Sequence, residues 1–249
     1  MRRALLIIAL VLAVTANAAA GTAEDPPTLT EACGSSSDLE ARSFWLQTYD
    51  RIRLYAFEAG NGKTTLVLAH GYPSDLCETL TFAGKAVASG YRVVAFDRRG
   101  EGRSQSPSKN ALAYGRDFAA AVAHARRTGA ERVFLIGSSY GGAAVVHNTT
   151  SLRVDGRVSL SGTRFRRGFG FNNFRGLARI RAPFLYVGTR RDPYAPLNEA
   201  LRMFRRVGAS DKRKAIYPGG DHGWLLITTG RYSAPSLALV FRWIQVRSS

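Results

Sequence analysis

Apolar and polar positions alternate with changing period along the chain, and each change marks an element. Residues 44–49 and 52–57 are two short runs rich in aromatic and aliphatic side chains. Asp50-Arg51 separates them, which predicts two strands joined as a hairpin. Residues 64–69 are an unbroken apolar run ending at His70-Gly71, the pattern of a strand buried on both faces. From there helix and strand patterns take turns. A helix is predicted over 78–89 and a strand over 91–96. A longer helix is predicted over 111–128, where Tyr114, Phe118, Val122 and Ala125 share one face and Gly129 stops it. Then come a strand over 132–136, a helix over 140–148, short strands over 158–160 and 183–187, and a helix over 197–207. A strand ends at 215–217. The closing helix, 234–246, carries Leu237, Val240, Phe241 and Ile244 on one side.

Short strands alternating with helices predict an α/β fold, with a mainly parallel sheet covered on both faces. Residues 163–181 break the pattern. They are rich in Phe, Gly, Arg and Asn without a period, and read as an irregular loop or minimal lid, too short for a cap domain. Phe165, Phe169, Phe171 and Phe174 are expected either at the rim of a site or in ordinary packing.

The first 20 residues stand apart. Arg2-Arg3, the apolar run 4–14 and the small residues 15–20 have the order of a cleaved secretory leader, and the run is short for a membrane span. Residues 21–42, with Pro26-Pro27 and Ser35-Ser36-Ser37, read as a flexible lead, and 43–249 as one catalytic domain. Export implies an oxidising compartment, where a disulfide between Cys33 and Cys77 is expected; two unrelated cysteines are the alternative.

Composition narrows the class. Hydrophobic residues at 45% and charged residues at 21% exclude disordered and collagen-like chains. The net charge is +17, and loss of the leader removes Arg2 and Arg3 to leave +15. Such a chain is attracted to anionic surfaces. Its arginines are scattered as pairs such as Arg98-Arg99 and Arg205-Arg206, with no basic block, so a solvated basic surface is expected and specific nucleic-acid binding is not.

In open α/β sheets ligand sites lie at the carboxyl ends of the strands. After the strand at 132–136 comes Gly137-Ser138-Ser139-Tyr140-Gly141, a G-x-S-x-G segment between strand and helix. It places Ser139 on a sharp turn as candidate nucleophile, with the Tyr140 backbone N–H as an oxyanion donor. Ser138 lacks glycines at both flanking positions. Of the four histidines, His124 and His147 fall inside helices and His70 more naturally shapes the loop after its strand. His222, in Gly219-Gly220-Asp221-His222-Gly223, is the late loop histidine that the order Ser…Asp…His requires. Asp192, just beyond the strand at 183–187, is the orienting carboxylate, with turn capping as its alternative role. Asp221 adjoins the histidine too closely, and Asp117, Asp155 and Asp211 lie on the wrong connections. The Tyr72 N–H, in His70-Gly71-Tyr72-Pro73, is the second oxyanion donor. The segment Asp97-Arg98-Arg99-Gly100-Glu101-Gly102-Arg103-Ser104 lacks the third glycine of a dinucleotide loop and reads as a tight charged turn.

These segments, in this order over 44–246, resemble the α/β-hydrolase superfamily. The resemblance implies an eight-stranded, mostly parallel sheet, a Ser-Asp-His triad, and no metal or organic cofactor. Serine rather than aspartate at the elbow separates the chain from the dehalogenase and epoxide-hydrolase branches. The expected activity is secreted hydrolysis of a small carboxylic ester or other acyl substrate. A peptidase or amidase on the same triad is the alternative, and a non-catalytic basic binding protein on this scaffold is the reading from another class.

Overall fold

The computed structural model describes residues 25–34, 39–107, 113–163 and 176–248. The expected leader and the four phenylalanines of the 163–181 loop lie outside the described residues. The described chain forms one eight-stranded sheet in the order β1-β2-β4-β3-β5-β6-β7-β8. The strands are β1 (Ala41–Gln47), β2 (Arg53–Ala59), β3 (Thr64–Ala69), β4 (Arg92–Phe96), β5 (Arg132–Ser138), β6 (Gly156–Leu160), β7 (Phe184–Thr189) and β8 (Lys212–Tyr217). β1 and β2 are antiparallel to each other, and β2 to β4, while β3 to β8 run parallel. This is the mostly parallel α/β sheet expected, without a large cap among the described residues.

Six helices accompany it among the described residues: α1 (Leu29–Cys33), α2 (Leu80–Ala88), α3 (Tyr114–Arg127), α4 (Ser139–His147), α5 (Leu197–Arg206) and α6 (Ser233–Gln245). Side chains along the central strands alternate between two cores. Leu66 and Leu68 of β3, with Phe134 and Ile136 of β5, meet Phe82 of α2 and Val240, Trp243 and Ile244 of α6. Val67 and Ala69, with Val133 and Leu135, face Tyr114 and Phe118 of α3 and Ala143 and Ala144 of α4. A smaller cluster under α5 joins Met203 and Phe204 to Phe184 and Tyr186 of β7.

Several boundaries differ from the pattern-based reading for identifiable reasons. The hairpin closes earlier than 49 because the Thr48 hydroxyl donates to Asp50 (2.7 Å) and accepts from the Ile52 N–H (2.9 Å), with Arg51 left-handed at φ 64°. The helix expected from 78 is preceded by a 3-10 turn, Leu76–Thr79, capped by the Asp75 carboxylate on the Cys77 N–H. β6 starts two residues early, because Gly156 lies flat against Phe134 and Trp243; a β-carbon there would come within 2.7 Å of both rings. β8 opens with Lys212-Arg213-Lys214, an edge-strand composition with little apolar signal.

The charged turn at 97–104 is a structural clamp. The Arg99 guanidinium pairs with buried Asp117 of α3 (2.7 Å) and with Asp50 of the hairpin (2.9 Å). Arg99 holds the Asp50 carboxyl well below the usual carboxylate range. Asp97 accepts from the N–H groups of Leu76 (2.7 Å) and Arg103 (2.8 Å). The lead is fastened as well. Thr28 and Glu31 form a capping box on α1, Tyr55 Oη donates to the Pro27 carbonyl (3.0 Å), and Cys33 and Cys77 form the expected disulfide.

The bridge closes a loop of 44 residues. In the chain-entropy model that constraint contributes about 4 kcal/mol. Replacing Cys33 and Cys77 together by serine is expected to lower urea-denaturation stability by roughly 2–4 kcal/mol. A loss below about 1 kcal/mol would mean the capped helix and its contacts hold the lead without the bridge.

Candidate active site

The carboxyl ends of β3, β5, β6, β7 and β8 converge on one edge, and the candidate residues project from the loops that follow them. Ser139 stands directly after β5 as the first residue of α4, in the left-handed region at φ 51°. That conformation is uncommon for a residue with a side chain and marks a sharp turn. The flanking glycines make it possible. A β-carbon at Gly137 would lie 2.4 Å from the Gly141 carbonyl group, and one at Gly141 would lie 2.4 Å from the carbonyl oxygens of Ala69 and His70. No side chain fits at either point.

His222 lies beyond β8, and its Nδ1 is 2.8 Å from both carboxylate oxygens of Asp192. An ionised carboxylate only accepts, so Nδ1 carries the proton and Nε2 is left as the basic nitrogen. Asp192, whose side chain is almost fully buried, also accepts from the N–H groups of Tyr194 (2.9 Å) and Ala195 (3.0 Å). It therefore caps a turn and holds the ring at once. Asp221 makes no hydrogen bond to the ring among the described residues.

Two contacts seat the histidine loop on the strand ends. Thr189 Oγ1 donates to the Asp221 carbonyl (3.0 Å), and the Gly223 N–H donates to Ser161 Oγ (3.1 Å). Gly223 packs so closely on the elbow that a β-carbon would lie 2.3 Å from Ser138 Oγ. Ser161, just after β6, is fully buried and left-handed at φ 53°. It belongs to no sequence motif. Its one available signal is its place after a strand, which it shares with the other site residues.

Tyr72 and Tyr140 both border this region, their rings 6.2 Å apart. Gly71 touches the turn that carries Ser139: a β-carbon there would be 3.5 Å from Ser139 Cβ. Beneath them lies the buried Arg98 guanidinium, 4.2 Å from the Tyr140 ring centroid, donating to the Gly71 carbonyl (2.6 Å) and paired with Glu101. His70 is committed to the loop. Its Nε2 accepts from the Arg98 N–H (3.1 Å), and burial pushes its pKa well below the ordinary histidine value. His124 bonds Glu58 (2.8 Å) and stacks on Phe44. Asp117, Asp155 and Asp211 pair with Arg99, Arg126 and Arg247, away from the cleft.

One functional candidate escaped the sequence analysis. Glu78 Oε1 accepts from the Gly71 N–H and from Trp224 Nε1 (2.8 Å), so one carboxylate joins the loop after β3 to the loop that carries His222. Burial raises its pKa, against hydrogen bonds from Gly71, Ser74 and Trp224 that lower it. A cleft of about 570 Å³ brings Ser139, His222, Glu78 and Tyr72 together with Tyr194 and Leu225. Tyr72, Tyr194 and Leu225 are 54%, 69% and 48% exposed, an apolar rim around the mouth, and Tyr194 meets the His222 ring edge-on at 5.0 Å. Among the described residues no cluster of three or more His, Cys, Asp or Glu is arranged to hold a metal ion.

Residues 66–183 match the model of the alpha/beta hydrolase family. Solved structures share the architecture at low identity. An esterase of Pyrococcus furiosus superposes with a TM-score of 0.71 at 16% identity, over 88% of this chain and 97% of that one. A monoacylglycerol lipase of Paleococcus ferrophilus gives 0.66 at 17%, over 78% and 99%. A predicted hydrolase of Thermoplasma acidophilum gives 0.64 at 19%, over 85% and 100%. The strand order, the elbow turn and these likenesses agree on the α/β-hydrolase fold, and the family match covers residues 66–183 of the chain.

Proposed function

We propose that the protein is an exported serine hydrolase that cleaves carboxylic esters through Ser139, His222 and Asp192. The observation that carries this reading is the His222–Asp192 pair at 2.8 Å, sharing one cleft with a serine held on a strained turn. A binding module has no need of a histidine fixed in one tautomer beside such a serine. His222 Nε2 takes the proton of Ser139 as its oxygen attacks the ester carbonyl, while Asp192 stabilises the imidazolium. The Ser139 hydroxyl is not hydrogen-bonded to the ring among the described contacts. Such bonds are commonly long in free enzymes and tighten once substrate is bound.

The backbone N–H groups of Tyr72 and Tyr140 receive the oxyanion; the Gly71 N–H is already taken by Glu78. The tetrahedral intermediate collapses as His222 returns its proton to the departing alcohol. Water then releases the acyl group by the same steps. An esterase and a lipase among the structurally similar proteins favour esters over amides. The open, apolar-rimmed cleft suits a small acyl group. The leader read in the sequence and the Cys33–Cys77 bridge support export.

Glu78 acts through others in this reading. Its carboxylate keeps the Tyr72 loop in register with the His222 loop, so the oxyanion donors and the base meet the same atom. It is a positioning residue.

A fluorophosphonate probe is expected to label the wild-type protein and not Ser139→Ala, and ester turnover should fall by about a millionfold in that variant. A folded wild type that resists labelling sinks the assignment. Asp192→Asn is expected to lower kcat by roughly 10²–10⁴-fold with little change in KM; wild-type turnover would mean that another group orients the base.

Glu78→Ala removes the acceptor shared by Gly71 and Trp224 and should lower kcat by about 10–100-fold. Glu78→Gln still accepts both bonds and should keep most of the activity. Equal kcat in wild type and Glu78→Ala, with unchanged circular dichroism, would remove Glu78 from the machinery.

A further inference from the structure

At the edge of the sheet opposite Ser139, where β6 and β7 begin, a second cavity of about 480 Å³ is lined by Arg126, Arg153, Arg157, Arg179 and Arg181, with Asp155 as its carboxylate. Far apart in sequence for the most part, these arginines read as isolated surface charges until the fold gathers them. Asp155 is already occupied. It accepts from Arg126 (2.7 Å), from Arg132 (3.4 Å) and from the Val133 N–H (2.8 Å).

Arg157 is the decisive residue. It is 1% exposed, and its hydrogen-bond acceptors are neutral: Thr149 Oγ1 (3.1 Å) and the carbonyls of Thr149 (2.7 Å) and Leu152 (2.9 Å). Its Nη1 has no acceptor among the described residues. Burial lowers its pKa to about 10, which still leaves it charged at neutral pH. A buried guanidinium without a counter-charge is costly unless something neutralises it. The side chains of Arg153 and Arg179 are exposed and make no hydrogen bond or ion pair among the described residues. Nor can nearby sequence supply the missing charge. Between Asp155 and Asp192 the chain has nine arginines and no acidic residue.

We propose that this cavity is a binding site for a multiply charged phosphate, separate from the catalytic cleft. Guanidinium groups match phosphate oxygens in pairs, and a fixed, buried Arg157 flanked by free Arg153 and Arg179 presents that fork from several sides. The cavity has the size of a small-molecule site. With several unneutralised guanidinium groups around it, it selects an anion of more than one charge. Free oligophosphates and phosphomonoester lipid headgroups share this chemistry.

The experiment measures inorganic tripolyphosphate binding by calorimetry, and sedimentation with vesicles containing phosphatidic acid, a phosphomonoester lipid, both at physiological ionic strength. Three proteins are compared: wild type, Arg153→Ala/Arg179→Ala, and Arg205→Ala/Arg213→Ala, which removes the same charge elsewhere. Both substituted pairs are exposed, so the variants should fold, as circular dichroism checks. Binding of either probe that weakens at least about tenfold in the first variant, and stays within about twofold in the second, supports the site. Tripolyphosphate alone behaving so identifies a free phosphate; vesicles alone, a lipid headgroup. No binding of either probe to the wild type, or equal weakening in both variants, overturns the proposal. Ester hydrolysis should be the same in all three proteins without the probes.

Discussion

How closely α4 can approach the carboxyl ends of β3 and β5 decides everything at the candidate site. At Gly141 the helix backbone lies against the carbonyl oxygens of Ala69 and His70, with no space for a β-carbon, and at Gly137 the strand meets the helix with the same lack of room. This contact forces Ser139 into its left-handed turn and puts the first amides of α4 at the sheet edge. The same closeness brings Gly71 against Ser139 and Gly223 against Ser138, so the loops after β3 and β8 are stacked on the elbow. A serine on a looser turn would not find its partners in place, because those partners are themselves positioned by contact with the turn.

That dependence explains why buried polar groups concentrate here. Loops pressed together at a sheet edge lose water from their backbone N–H and C=O groups, and each needs a substitute partner. Glu78, Ser161, Asp192 and Arg98 supply them: Glu78 for Gly71 and Trp224, Ser161 for Gly223, Asp192 for Tyr194 and Ala195, and Arg98 for the Gly71 carbonyl. The turn that carries Ser139 is thus held by a network in which positioning and hydrogen-bond satisfaction are the same act.

Much of this was legible in the sequence, for a physical reason. The central strands are buried on both faces, so 64–69 and 132–136 stand out as apolar runs, and Ser139, Asp192 and His222 each follow a strand end. Features that depend on contacts between distant residues were not legible. Glu78 and Trp224 are 146 residues apart, and a lone glutamate at a helix start looks like any first-turn acid. β8 was seen only at its end because Lys212-Arg213-Lys214 carries the charges of an edge. The lead, read as flexible from its polar composition, has its described part pinned by a capping box and a disulfide. The arginines were read as scattered, and along the chain they are.

The two edges of the sheet end up with opposite electrostatic problems. At the carboxyl edge, carboxylates are buried near the place where a negative oxyanion would develop. Glu78 is tolerated there because amide and indole N–H groups surround it and burial disfavours its charged form. At the amino edge, Arg157 is a strand residue whose partners are all neutral, in a stretch of sequence without a carboxylate. The first edge resolves its charge with hydrogen bonds supplied by the protein. The second resolves it only in part, since carbonyl oxygens solvate a guanidinium without cancelling its charge. The remaining positive field faces a cavity, and that is the condition under which an anion from outside completes a site.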